Sequence, residues 1–316
     1  MKLEKNKWTL KHLRQHLQFA VDLELWTIPF YMSAMFSIID RSSKAFQLIQ
    51  SIVNQEMLHL QLASNVSNVF GHCPNFSAPK YEGDKIPHLN FRLDTPDPRK
   101  KFYPASAEIG PLDEKRINSM CLVEYPEYST GHEPALRDTV SEYGSIGDFY
   151  DAVEFGAKQL ANDIQGGINQ VDFFAAFYRD FPQLTVQDSG EGGFAQVALL
   201  IDAIRDQGEG RKSNELIKKA FRNTADDTYP KESHYDKFYQ IREDRLPPTY
   251  PLKQVGTYTE DDKNLQKILV NNFNFLLNAL QSLFSGGSRD DFLPVMVSIG
   301  GNITKCWKNG VLPKFS

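Results

Sequence analysis

The sequence predicts an all-α fold, a helical bundle with long loop insertions and extra helices towards its C-terminal end. Two runs near the start carry most of that expectation. From residue 10 to 36 apolar side chains recur at three- and four-residue steps, through Leu13, Leu17, Ala20, Leu23, Ile28, Tyr31 and Met35. That spacing lines one face of a helix. A second run goes from Ala45 through Ile49, Ile52, Val53, Met57, Leu60, Ala63 and Val66 to Phe70. The same periodicity returns late in the chain, over 263–284 and 292–307.

Each element follows in order. Asp40-Arg41-Ser42-Ser43 breaks the first two helices and offers capping side chains for the second, so the pair forms an antiparallel hairpin over 1–70. Gly71 closes the second helix. Between 72 and 111 stand seven of the chain's 17 prolines, a density no helix survives. This reads as a long ordered loop with a short strand near 89–93, and a loop of that length usually covers something. Helical texture resumes over 112–123, and 125–144 is irregular. Ser145 to Asp148 resembles a capping box opening a helix to about Asn162.

A further helix covers 194–205 and ends at Gln207-Gly208-Glu209-Gly210. The polar stretch 211–230 shows helical content around 216–221, and a short helix follows over 231–242. Pro247-Pro248 breaks the chain before the last two helices. No fixed repeat or low-complexity tract interrupts this order. The expectation is one domain over 1–316, with its bundle completed over 112–245 and further helices over 260–308.

Composition narrows the function classes. Forty acidic against 35 basic residues leave a net charge of −5, without the cation clusters that nucleic acid requires. No apolar run approaches the ~18 residues of a membrane span, and the first residues lack the apolar core of a secretory signal. Cys73, Cys121 and Cys306 form an odd set without a CxxC pair, which argues against a disulfide scaffold or zinc ribbon and for a reducing cytoplasm. There are 22 Phe and 13 Tyr but only 3 Trp and 6 Met, an aromatic excess that is either core or the lining of a site.

Glu24, Glu56 and His59 carry the chemistry. Glu56 and His59 form a Glu-x-x-His pair on one helix face, among Ile52, Val53, Met57, Leu58 and Leu60. Glu24 lies in the apolar stretch Phe19 to Trp26. A buried carboxylate costs several kcal/mol unless paired or metal-bound. With the turn centred at Asp40, Glu24 and Glu56 lie equally far from it along antiparallel helices, both roughly 24 Å away. They therefore stand at one height, as in carboxylate-bridged dimetal sites. An isolated Glu-x-x-His also arises by chance, and His59 could serve a core carbonyl. The matched height of Glu24 favours metal. Pro29 should kink or bulge the helix near this level.

The segment Leu23-Glu24-Leu25-Trp26-Thr27-Ile28-Pro29-Phe30-Tyr31, followed by residues Ile52 to His59, resembles the opening of a known family. This is the ferritin-like family typified by iminophenylpyruvate dimer synthase, of violacein-type bisindole pathways. Glu124-Tyr125-Pro126-Glu127, Ser145 to Tyr150, Gln207 to Gly210 and Ser233 to Phe238 add further matches, in order through about residues 8–245.

The resemblance implies a ferritin-like bundle holding iron, mononuclear or dinuclear, or manganese. It makes Glu24, Glu56 and His59 ligands, with Glu209 and His234 from the second half. No second Glu-x-x-His exists, because Lys231 precedes His234 by three residues and Glu232 sits at the wrong helical angle. Glu209 must then supply the missing carboxylate, or the site is asymmetric or mononuclear. Glu124 and Glu127 flank Pro126 and read as loop-pinning acids. Glu154 and His12, His16, His72, His88 and His132 read as surface residues.

The leading function is then an oxidoreductase for natural-product biosynthesis, acting with O2 on a small molecule such as an amino acid-derived imine. Its substrate would enter beneath the 72–111 loop, beside Tyr31. The alternative is a non-catalytic ferritin-like metal-binding or storage protein. Haem binding has no support beyond His59 and His234 being available. The expected partners are small-molecule substrate and O2, with no nucleic acid or membrane and with homo-oligomerisation left open.

Overall fold

The computed structural model describes residues 8–93, 97–126, 143–173, 184–208, 231–288 and 292–316. Among these, eight α-helices form the bundle. The first, α1 (Leu10–Ser37), starts where the Thr9 hydroxyl accepts the His12 N–H. It runs on through Pro29 and is buried almost all round from Ala20 to Met35, because it is packed from several sides. The reversal is built by Asp40, whose carboxylate accepts the Ser42 N–H and hydroxyl, and by Ser43, which caps α2 (Lys44–Val69). Gly71, at φ +65°, ends α2: its N–H reaches Asn68 O and the next N–H, of His72, reaches Ser67 O. That pair of bonds is the Schellman arrangement, which needs a left-handed residue where only glycine is unstrained.

The short helix α3 (Glu114–Val123) follows the proline-rich loop, and α4 (Ile146–Gln159) opens on Ser145. Then come α5 (Gly190–Gly208) and α6 (His234–Glu243), the latter begun by a reciprocal capping box between Ser233 and Asp236. The last two, α7 (Glu260–Phe284) and α8 (Phe292–Lys308), pack on each other. Helix α1 packs on α2, α4 and α8, while α2 also meets α5, α6 and α7. The α1–α2 pair is thus the central layer, with α3–α6 on one side and α7–α8 on the other. Trp307 fastens the outer pair, its indole N–H donating to Ser33 O at 2.9 Å. Burying one such large side chain contributes about 2–3 kcal/mol.

Three expectations change. The segment expected as a strand at 89–93 is one bridge between Leu89 and Tyr143 followed by a 3-10 turn, Phe91–Leu93. No neighbouring strand is present there to extend the pairing among the described residues. His16 is buried rather than exposed, with its ring nitrogens against His12 O and the Tyr143 hydroxyl. Glu154 is half-buried and pairs with Arg205, as Asp151 and Asp202 do. His132 and the 216–221 segment lie outside the described residues. No described helix is long and apolar enough to cross a membrane.

Two stability predictions follow from buried polar groups. Asn65 donates to Val171 O and Leu184 O and accepts from Val171 N, at 2.8–2.9 Å. Asn65→Leu strands those three backbone groups and should cost about 3–5 kcal/mol in a urea unfolding curve. Burial pushes the His16 imidazole down to about 4 from the ordinary 6.5. The folded chain therefore refuses a proton that the unfolded chain accepts, and stability falls as pH drops from 6.5 to about 4. Between pH near 7 and near 4.5 the wild type should lose about 2–3 kcal/mol more than His16→Gln. Equal losses would show that His16 titrates normally.

Candidate metal centre

Five ionisable side chains meet between α1, α2, α3 and α6, and none is more than 3% exposed: Glu24, Glu56, His59, Glu124 and His234. Between α1 and α2 the structure brings Glu24, Glu56 and His59 together. His59 Nδ1 lies 3.6 Å from Glu24 Oε2 and 3.8 Å from Glu56 Oε1. From α6, His234 Nδ1 lies 2.8 Å from the same Glu56 oxygen and 3.7 Å from Glu124 Oε2. The two imidazoles stack with centroids 5.2 Å apart. Glu56, His59 and His234 can each present a ligand atom within 4.8 Å of the others.

Every donor is held from behind. The Tyr150 hydroxyl donates to Glu24 Oε1 at 2.5 Å, Thr27 to Glu56 Oε2 at 2.6 Å, and Tyr31 to Glu124 Oε1 at 2.7 Å. The opposite oxygen of each carboxylate faces the histidines. Gln207 Oε1 stands 2.9 Å from His59 Nε2, and Gln55 Oε1 stands 3.0 Å from His234 Nε2. An amide oxygen only accepts, so each Nε2 carries a proton and each ring turns its Nδ1 inward, towards the carboxylates.

The interior of this cluster is consequently a convergence of potential ligand atoms. His234 Nδ1 is fully buried and makes no hydrogen bond, although the Glu56 oxygen is within 2.8 Å. Two acceptors that close repel unless a proton or a metal ion lies between them. Titration behaviour points the same way. Burial, then the charge of Glu124, pushes the Glu56 carboxyl well above the usual carboxylate range. Burial alone would lower the His59 imidazole, yet the Glu24 and Glu56 carboxylates outweigh it and raise it. Burial, reinforced by the neighbouring carboxylates, raises Tyr31 and Tyr150 far above the ordinary phenol range, so both remain donors. Among the described residues no Lys or Arg pairs with these carboxylates, and carboxylates with imidazoles are the donors of first-row transition metals. The residues present fit such an ion.

Glu124 corrects the sequence reading. It was expected to pin the loop before Pro126, but it ends α3 with its carboxylate turned into the cluster. A signal existed, since Ile117, Met120, Cys121 and Glu124 form one stripe at i, i+3, i+4 and i+7. A side chain's first carbon at position 208 would meet Glu124 Oε2 at 3.1 Å, which accounts for glycine there. Glu232 is directed to the Gln240 side chain, and Lys231 is exposed. Glu209 lies outside the described residues. Thr27, Gln55, Tyr150 and Gln207 carry no spacing signal, because each meets its partner only across helices.

A model of the ferritin-like family matches residues 17–243. The chain belongs to the ferritin-like family. Among solved structures, it is similar to a ferritin-like protein from Caulobacter vibrioides at 42% sequence identity, with a TM-score of 0.87 over 98% of this chain and 99% of that one. No curated protein matches. Ferritin-like domains commonly bind metal, and this bundle carries a buried Glu/His/His group able to do so.

If Gln55 and Gln207 set the ring tautomers, Gln55→Leu and Gln207→Leu should each weaken metal affinity by about 10–100-fold. Competition titration with a chelator of known affinity measures this. Unchanged affinity in both variants would show that the amides do not orient the rings.

Proposed function

We propose that this ferritin-like protein is a metal-dependent oxidoreductase that uses O2 on a small organic substrate. The observation that carries the proposal is the inward-facing donor set, above all His234 Nδ1, buried and without a hydrogen bond beside Glu56. The donors divide into two half-sets around Glu56. Glu24 and His59 would hold one iron or manganese ion, Glu124 and His234 a second, with Glu56 shared. When bound, such an ion supplies a redox couple and Lewis acidity towards dioxygen.

The chain's own residues define the remaining chemistry. Thr27, Tyr31 and Tyr150 each hold one carboxylate oxygen, so the other cannot rotate away from the centre. Tyr31 and Tyr150 keep their protons at neutral pH and so remain hydrogen-bond donors to Glu124 and Glu24. Burial keeps bulk water from the cluster, which strengthens every charge interaction within it. The resemblance of residues 23–31 and 52–59 to iminophenylpyruvate dimer synthase directs the substrate choice to amino acid-derived imines and similar natural-product intermediates. Cytoplasmic location fits such a substrate and the three free cysteines.

Elemental analysis of protein loaded with ferrous iron should find about two ions per chain, falling to about one or none in His59→Ala and in His234→Ala. One ion in the wild type would replace the shared-Glu56 arrangement with a mononuclear site, and no ion would end the metal reading. With iron bound, O2 uptake should rise at least severalfold on adding one of a panel of aromatic 2-imino acids. Uptake that answers to ferrous iron alone would assign metal binding or storage instead.

A further inference from the structure

The α1–α2 layer has a second face. To one side of the cluster side chains, α1 and α2 meet α7 and α8 around a cavity of about 40 Å³. Its wall is formed by residues adjoining the cluster in sequence: Leu25 follows Glu24, Met57 follows Glu56, and Leu60 follows His59. Ile28 stands one turn from Glu24 on α1, and Leu280 of α7 lines the same space. Gln61 is the single polar lining side chain, and its amide oxygen is taken by the Phe173 N–H.

Volume and lining together select the occupant. The space exceeds the roughly 10–15 Å³ needed for one water, but a water requires two to four polar partners and a cavity this apolar stays dry. It is far too small for a substrate the size of an amino acid, it carries no charged group to hold one, and its one polar wall group is the Gln61 amide. A diatomic or single-atom apolar guest fits. The geometry points to a dioxygen site, a dry pocket alongside the ligand-bearing turns from which the gas reaches a cluster no more than 3% exposed to solvent. Dioxygen, being apolar, gains by leaving water for such a space. The assignment of dioxygen rests on the redox function proposed above, whereas capture of a small apolar guest does not.

Xenon separates the two. A crystal pressurised with xenon should show an anomalous peak between Leu60 and Leu280, and its absence there overturns the site. Leu280→Phe fills the space and Leu280→Ala enlarges it. The first should abolish the peak and raise the KM for O2 of the iron-loaded protein at least threefold with kcat unchanged. The second should strengthen the peak. Xenon binding with an unaltered KM for O2 in Leu280→Phe overturns the delivery role. An iron-loaded protein that consumes no O2 at all sinks the redox function, while the xenon peak still decides whether the cavity takes a small apolar guest.

Discussion

Three carboxylates and two imidazoles share a space shielded from bulk water, and the Nε2 proton of each ring is turned outward to an amide oxygen. That is the constraint on which the rest of the structure depends. Buried anions of this kind are strongly unfavourable without compensation. The protein answers with a directed arrangement instead of scattered neutralising partners. One oxygen of each carboxylate is tied down by a hydroxyl, and the free oxygens and ring nitrogens converge.

These outer contacts are also the cross-links of the bundle. Thr27 to Glu56 joins α1 to α2, Tyr31 to Glu124 joins α1 to α3, and Tyr150 to Glu24 joins α1 to α4. Gln207 to His59 ties α5 to α2, and Gln55 to His234 ties α2 to α6. Every helix on the cluster side is therefore registered against the hairpin by a polar bond at the site itself. A network satisfied this way rigidifies its surroundings, because losing one member strands the next.

The same hairpin must be apolar on its other face. Helix α1 departs from an ordinary amphipathic pattern for this reason, with burial from Ala20 to Met35 on nearly all sides. The α7–α8 pair covers that face, and its imperfect closure leaves the small cavity beside the turns that carry Glu24, Glu56 and His59. The 72–111 segment fastens to α1: the Trp26 indole donates to Lys80 O and the Tyr81 hydroxyl donates to Trp26 O. Tyr31 is fully buried in the cluster wall.

Local rules in the sequence determined the helices, because periodicity, caps and breakers act within a few residues: Ser43 and Gly71 bound α2, and Ser145 opens α4. They also determined the level shared by Glu24, Glu56 and His59, since an antiparallel hairpin converts distance from its turn into height. The resemblance to known relatives added His234. Glu124 escaped because Pro126 marks a break, and only the packing of α3 against α6 turns its carboxylate inward. Gln55, Gln207 and Tyr150 had no spacing to betray them, as their bonds span 126 to 179 positions of chain. Which potential ligand atoms face one another is a property of side-chain direction across helices, and that only the tertiary structure decides.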